Sequence, residues 1–322
     1  MRRRHVLALS GGVGGAKLAT GLGAVLPPGD LTIVVNTGDD FEHLGLTICP
    51  DIDSVAYAMA GLNDTERGWG MAGETWQAMS SLRALGEADW FNLGDRDLGM
   101  HIARSHRLRD GETLSHVTAR LTRALGIAHA IVPMSDAPVR TQIETADGML
   151  DFQHYFVREQ CRPVARAIHF RGVPGAAPAP AFAEALARSD LGAIIVCPSN
   201  PYLSVDPILA VDGVREALRS RNIPVVVVSP LVGGKALKGP LAKLLGELGA
   251  EVSNLAIAKH YEGLADHLII DEADASDAAA LRALGVSVTI APTVMRDEAD
   301  RQRLAGVALS AASYELDDYG TR

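Results

Sequence analysis

Residues 5–17 read HVLALSGGVGGAK. The mostly apolar run His5-Val-Leu-Ala-Leu9 passes straight into SGGVGGAK, Ser10 to Lys17, and an Ala/Leu-rich stretch follows at 16–26. A short continuous apolar run suits a strand buried on both faces of a parallel sheet. Glycines directly after such a strand let the backbone approach an anion closely. The helix behind them offers unpaired N–H groups and the positive end of its dipole, and Lys17 adds a point charge one turn in. Neither familiar nucleotide template is met. The dinucleotide fingerprint G-x-G-x-x-G is satisfied at Gly12 and Gly14 but finds Lys17 where its third glycine belongs. The Walker pattern needs Gly-Lys-Ser/Thr, whereas Lys17 stands between Ala16 and Leu18. A phosphate-binding turn and a plain strand-to-helix turn are the two readings of this stretch.

Further apolar runs rich in Val, Ile and Leu recur at 6–9, 31–35, 130–133, 193–197, 224–228, 267–270 and 286–290, alternating with helical patterns such as 114–125 and 236–248. That alternation predicts βαβ crossovers and a mostly parallel, doubly wound α/β sheet. Two regions break the rhythm. From about 55 to about 127 the chain is helical with little strand, which predicts a helical insertion. Residues 139–170 alternate like strands, and Asp147-Gly148 between two such runs signals a hairpin, which predicts a small β flap. The Gly/Pro/Ala-rich stretch 172–180 reads as a connector. The whole of 1–322 is expected to form one domain carrying these two additions.

The composition fits an ordinary globular protein of 322 residues, 48% hydrophobic and 21% charged. A formal net charge of -9 argues against nucleic acid as the main partner, while leaving room for a local basic pocket. Cys49, Cys161 and Cys197 are odd in number and show no CxxC spacing, so neither a disulfide framework nor a zinc site is expected. The basic start Met1-Arg-Arg-Arg4 precedes an apolar run shorter than the roughly 7–15 residues of a secretory segment. No run approaches the roughly 20 residues of a membrane span. A cytoplasmic protein without a membrane partner is the expectation.

Acidic loops follow the predicted strands. Asn36-Thr-Gly-Asp-Asp40 comes after the second, and Cys49-Pro-Asp-Ile-Asp-Ser54 lies just beyond. Loops at the carboxyl ends of strands in an open α/β sheet converge on the ligand crevice, which would bring Asp39, Asp40, Asp51 and Asp53 toward SGGVGGAK. Carboxylates beside a diphosphate require a divalent cation, and Mg²⁺ shared between carboxylates and phosphates answers that need. Alternatively, Asp39 accepts from a ribose hydroxyl, or these residues are helix caps and turns. Gly94-Asp-Arg-Asp97, followed by His101, Arg104 and Arg107, interleaves acid and base at a helix start, an arrangement suited to anion binding. His101 alone reads as a structural hydrogen-bonder. Trp69, Trp76 and Trp90 either form a small core or wall a flat ring, with Gly68-Trp69-Gly70 the glycine-flanked member. Cys197-Pro-Ser-Asn-Pro201 and Ser229-Pro-Leu-Val-Gly-Gly-Lys235 are two more strand-end rims, where Ser199 and Asn200 offer hydrogen bonds.

Together SGGVGGAK, VVNTGDD, CPDIDSV, RGWG, LGDRDLGMHIARS, PMSDAPVRTQIET, CPSNPYLSVDPI and SPLVGGKALKGP occur in an order that resembles the 2-phospho-L-lactate transferase family of coenzyme F420 biosynthesis. The resemblance runs from about residue 6 to about residue 260, and more weakly beyond. It implies a Rossmann-like fold, a cytoplasmic homodimer and Mg²⁺. The implied reaction moves a phospho-hydroxyacid from a guanosine diphosphate-linked donor to the ribityl hydroxyl of the deazaflavin Fo, releasing GMP. Carried over by motif, Gly11, Gly12, Gly14 and Lys17 would border the donor diphosphate, and Ser199 and Asn200 the guanosine side. Asp39 and Asp53 would hold the metal, with Asp39, Asp53 and Lys17 catalytic. Asp53, Arg96 and Trp69 would face Fo. The first loop, Val13-Gly-Gly-Ala16, resembles bacterial members rather than the archaeal Thr-Gly-Thr-Pro form, so the acid is 2-phospholactyl, phosphoenolpyruvyl or 3-phosphoglyceryl. A related group of nucleotide-sugar-binding regulators shares the glycine loop, but continues with an Asp-Asp-Gly-Gly-Ser-Ser type of loop where this chain has Asp39-Asp-Phe-Glu-His43. A nicotinamide-dependent oxidoreductase is disfavoured by Lys17 at the third-glycine position.

Overall fold

All seven apolar runs lie side by side in one sheet. A computed structural model describes residues 5–220, 222–236 and 240–314. Its strands are β1 (His5–Ser10), β2 (Leu31–Val35), β3 (Ala130–Pro133), β4 (Leu191–Val196), β5 (Val225–Val228), β6 (His267–Ile270) and β7 (Ser287–Ile290). They run in the order β7-β6-β5-β4-β1-β2-β3, and every neighbouring pair is parallel. This is the doubly wound Rossmann order, with the winding direction reversing between β1 and β4.

The period-two geometry of a strand divides the apolar side chains between two layers. Leu7, Leu9, Val34, Ile194, Val196, Val225 and Val227 face one cluster, which includes Phe182, Ile208, Leu218 and Leu245. Val6, Ala8, Ile33, Val35, Ile195, Val226 and Val228 face the other. That second face is covered by three helices, α1 (Gly12–Val25), α2 (Pro50–Met59) and, near the end of the chain, Glu298–Ala311. Burial on both faces accounts for the near-continuous Val/Ile/Leu runs: each such side chain contributes about 1.5–3 kcal/mol when removed from water.

Between β2 and β3 lie α2, a short helix Gln77–Ala84, then α3 (Asp95–Arg109) and α4 (Leu114–Ala124). A two-stranded antiparallel hairpin, Phe41–His43 with Leu46–Ile48, precedes them and is absent from the sequence expectation. Trp76 and Trp90 pack with Phe41, Ile48, Met79 and Leu93 into a small separate core, while Trp69 is 44% exposed. The flap has three strands rather than two: Arg140–Thr145 pairs antiparallel with Gly148–Asp151 across the Asp147-Gly148 turn, and with Ala167–Arg171 on its other edge. The helix expected at 236–248 is found at Leu241–Glu247, and residues 237–239 and 1–4 lie outside the described residues. The covering helix near the end of the chain is α5 (Glu298–Ala311). No helix among the described residues is long and apolar enough to cross a membrane.

Candidate functional site

The loops after β1 and β4 diverge at the reversal point, which is where open α/β sheets place their ligand crevice. Gly11 is extended, and Gly12 adopts φ +64°, a left-handed conformation that favours glycine. At Gly14 the two loops meet backbone to backbone. A Cβ added at Gly14 would lie 2.3 Å from the Pro198 carbonyl oxygen. Ser199 Oγ accepts from Gly11 N–H at 3.1 Å and donates to the Gly11 carbonyl at 2.8 Å. Gly12 N–H donates to Asp51 Oδ1 at 2.8 Å. Of the orphan donors in the first turn of α1, those of Val13 and Gly14 are the ones the helix itself leaves unpaired beyond Gly12. The structure thus brings together Gly11, Gly12, Gly14 and Ser199. Asn200 caps the turn that follows. Its Oδ1 accepts from the N–H groups of Tyr202 and Leu203 at 3.1 and 3.2 Å, capping the turn Pro201–Val205.

Buried acids gather beside this junction. Asn36, fully enclosed, donates through Nδ2 to Asp39 Oδ1 at 3.1 Å, to Asp51 Oδ2 at 2.9 Å and to the Leu203 carbonyl at 3.3 Å. One amide with two hydrogens serves three acceptors, so the carboxylates remain under-compensated. Burial and the adjacent Asp51 charge push Asp39 well above the usual carboxylate range. Burial lifts Asp51 to about 6, against the opposing bonds from Asn36 and Gly12. Burial also lifts Asp40 to about 7, against the field of Arg140. Asp40 Oδ1 is buried with no hydrogen-bond partner among the described residues. Asp39, Asp40 and Asp51 make no ion pair among the described residues, and such a cluster attracts a cation.

Asp53, two residues beyond Asp51 on α2, belongs to a different network. The Arg104 guanidinium, 1% exposed, grips both of its carboxylate oxygens, with Nη1 to Oδ2 at 3.1 Å and Nη2 to Oδ1. Burial alone would lower Arg104, but the Asp53 charge outweighs it and raises the group above its ordinary value. His101 lies between two acids, with Nδ1 3.6 Å from Asp53 Oδ2 and Nε2 3.2 Å from Asp97 Oδ1. Tyr57 donates its hydroxyl to Asp97. Burial works to raise Asp97, yet His101 and Tyr57 hold it below the usual range. Ligand atoms of Asp53, Asp97 and His101 lie within 4.8 Å of one another, a spacing that admits a metal ion. An ion there would compete with Arg104 for Asp53.

Three expected residues sit elsewhere. Lys17 Nζ donates to the Met295 carbonyl at 2.7 Å, and Lys17 lines a cleft together with Ser54, Tyr57, Trp69, Arg296 and Arg301. Trp69 stands edge-on to Trp76 at 5.9 Å between ring centroids, with the Arg67 guanidinium 5.4 Å from its own ring. Arg96 is exposed; its N–H donates to Glu74 Oε2 at 2.7 Å and its guanidinium to the Ala72 carbonyl. Lys17 and Trp69 therefore line the same cleft, while Arg96 anchors the 72–74 loop. Sequence reasoning assigned no role to Asn36, Tyr57 or the 295–301 segment. Asp97, His101 and Arg104 carry a readable signal, since their spacing puts them on one face of a helix.

A Rossmann-ordered sheet whose glycine loop meets buried acids at the reversal point defines an α/β protein with a crevice suited to a phosphate-bearing ligand. Residues 6–307 match the family model of 2-phospho-L-lactate transferase CofD. The 2-phospho-L-lactate transferase of Methanosarcina mazei is 37% identical over 306 residues, covering 95% of this chain and 100% of that one. The phosphoenolpyruvate transferases of Kitasatospora aureofaciens and Streptomyces coelicolor are 39% and 38% identical, each over 96% of this chain and 98% of theirs. A solved structure of a UPF0052 family member from Bacillus halodurans superposes with a TM-score of 0.63 at 17% identity, over 96% of this chain and 99% of that one, a likeness of fold. The chain belongs to the 2-phospho-L-lactate transferase CofD family, and it is a transferase.

Proposed function

We propose that the protein transfers a phosphorylated three-carbon acid from a guanosine diphosphate-linked donor to the ribityl hydroxyl of the deazaflavin Fo, with release of GMP, in coenzyme F420 biosynthesis. One observation carries the reading most directly. The Gly11–Gly14 backbone and Ser199 meet the under-compensated carboxylates of Asp39 and Asp51 at the strand-order reversal. A diphosphate with a divalent cation satisfies both halves of that junction, the Val13 and Gly14 amides that the helix leaves unpaired and the acids. The relatives are named for two acids, phospholactate and phosphoenolpyruvate, which supports those two as candidates, and 3-phosphoglycerate stays beside them on the resemblance of the first loop alone. The regulator alternative gains no support from relatives that are named as transferases.

The residues present fit Mg²⁺, because buried carboxylate oxygens without an ion pair, including the partnerless Asp40 Oδ1, are the hard donors this ion takes. Asp39 and Asp51 would hold it. Asp53, implied by the resemblance as a second ligand, would have to exchange Arg104 to join them. When bound, the ion neutralises diphosphate oxygens. In the transfer the Fo hydroxyl attacks the phosphorus that bears the acid, and the bond from that phosphorus to the oxygen of GMP breaks. The hydroxyl proton passes to Asp53 or to water. Arg104 fixes the Asp53 carboxylate in one geometry, which suits orienting a hydroxyl. Positioning and charge stabilisation, rather than a covalent intermediate, carry such a reaction. Trp69 and Arg96 are assigned to the Fo side, and the active form is a homodimer.

The test is direct. Purified protein with Mg²⁺, Fo and the guanylylated forms of 2-phospholactate, phosphoenolpyruvate and 3-phosphoglycerate, supplied separately, yields GMP and a more anionic deazaflavin with at least one donor. No product with any of the three overturns the proposal.

A further inference from the structure

The cleft beside α1 collects cations, in contrast to the acid-lined junction next to it. Lys17 and Val13 form its α1 wall, Ser54 and Tyr57 its α2 wall, and Trp69 its rim, while Arg296 reaches it from the segment that leads into α5 and Arg301 from the first turn of α5 itself. Asp64 also lines it, but Arg67 holds that carboxylate at 2.6 Å. The cleft therefore presents Arg296 and Arg301 beside an acid that Arg67 already holds, with Lys17 bonded to the Met295 carbonyl. Arg301 Nε is buried and has no hydrogen-bond acceptor among the described residues, an arrangement that a folded protein rarely tolerates without a purpose. The bond from Lys17 Nζ to the Met295 carbonyl ties down the residue immediately before Arg296, so the segment is held to α1.

We propose that this cleft receives the carboxylate of the donor's three-carbon acid, with Arg296 and Arg301 as specificity-determining residues. The inference rests on the transferase reading and extends it. A guanosine diphosphate-linked acid is linear, running from guanosine through two phosphates to the acid. The glycine junction at Gly11–Gly14 takes the phosphates, and Val13, on the same turn, opens into the cleft. The next group along the donor is the acid. A carboxylate matches the planar fork of arginine.

Calorimetric titration with Mg²⁺ present tests this without turnover. The probes are the guanosine diphosphate esters of lactate and of ethanol, which differ by the carboxylate alone, applied to wild type and to Arg296→Ala. Arg296 is exposed, so the variant is expected to fold normally. Wild type binds the lactyl ester more tightly than the ethyl ester. Arg296→Ala weakens the lactyl ester about tenfold, the scale of one charge-assisted hydrogen bond, and leaves the ethyl ester unchanged. Equal weakening of both esters, or of neither, overturns the assignment while leaving the transferase reading intact. Failure of wild type to bind either ester overturns both.

Discussion

Asp51 accepts hydrogen bonds from Gly12 and Asn36, and burial nevertheless lifts its carboxyl to about 6. An unfolded aspartate titrates at ~3.9. Between these values the folded chain binds a proton that the unfolded chain has released. The contribution of this group to stability is therefore full below about 4 and declines as pH rises through about 6. Asp40, at about 7, extends the decline. Buried His5, whose imidazole is lowered by burial, works in the opposite sense, but it is common to wild type and variant and cancels in their difference. In metal-free protein, Asp51→Asn accordingly gains about 1 kcal/mol of unfolding free energy relative to wild type between pH 5 and pH 8, since each tenfold change in a proton-binding constant is ~1.4 kcal/mol. Urea denaturation at both pH values measures it, and a difference that does not change with pH contradicts the account of Asp51. Spacing along the chain conceals other partnerships. Asp97, His101 and Arg104 were legible as one helical face, but the partner of Arg104 is Asp53, 51 positions away in the chain. Lys17 reads as a phosphate ligand because it follows the glycines, yet its Nζ bonds to Met295, 278 positions further on. Such partners are set by tertiary packing, which no local pattern encodes.

At the scale of elements, the inner strands were legible because burial on both faces demands unbroken apolar runs, and the half-exposed edge strand β7 was legible from the run 286–290. The hairpin Phe41–His43 with Leu46–Ile48 was not. Its strands are three residues each, too short to show a period, and its turn places Leu44 at φ 52°, where glycine or asparagine is the usual signal. The third strand of the flap, Ala167–Arg171, was hidden for a related reason, since 154–158 interpose a helical turn. The junction between α1 and the β4 loop yields a prediction of its own. Gly14 is helical, so Ala there would gain about 1 kcal/mol from propensity alone. Its Cβ, however, would meet the Pro198 carbonyl oxygen at 2.3 Å, and forcing the loops apart costs about 1–3 kcal/mol. The steric term wins. Gly14→Ala lowers the thermal midpoint and weakens GDP binding, whereas Gly306→Ala in α5, with nothing within 4 Å, leaves both intact or raises the midpoint. A Gly14→Ala protein as stable as Gly306→Ala would show that the two loops do not depend on close approach.

The whole molecule explains why the glycine loop fits neither standard template. Strand order is not readable from separate apolar runs, and only the assembled order β7-β6-β5-β4-β1-β2-β3 places the β1 and β4 loops against each other. In that frame the third-glycine position of the dinucleotide pattern is taken by Lys17, which serves the cleft under α5. The acids of the β2 loop and α2 stand where a ribose-binding acid alone would suffice for a dinucleotide. The arrangement suits a diphosphate with a cation, its acid tail in a basic cleft and its acceptor alongside. Phosphorus NMR of the complete reaction with Mg²⁺ and Fo tests that account most directly. It predicts that the coupled diphosphate signals of the donor disappear while a phosphodiester signal and the GMP signal rise in equal amounts. Release of GDP or inorganic phosphate in their place, or no change in the donor signals, would contradict it.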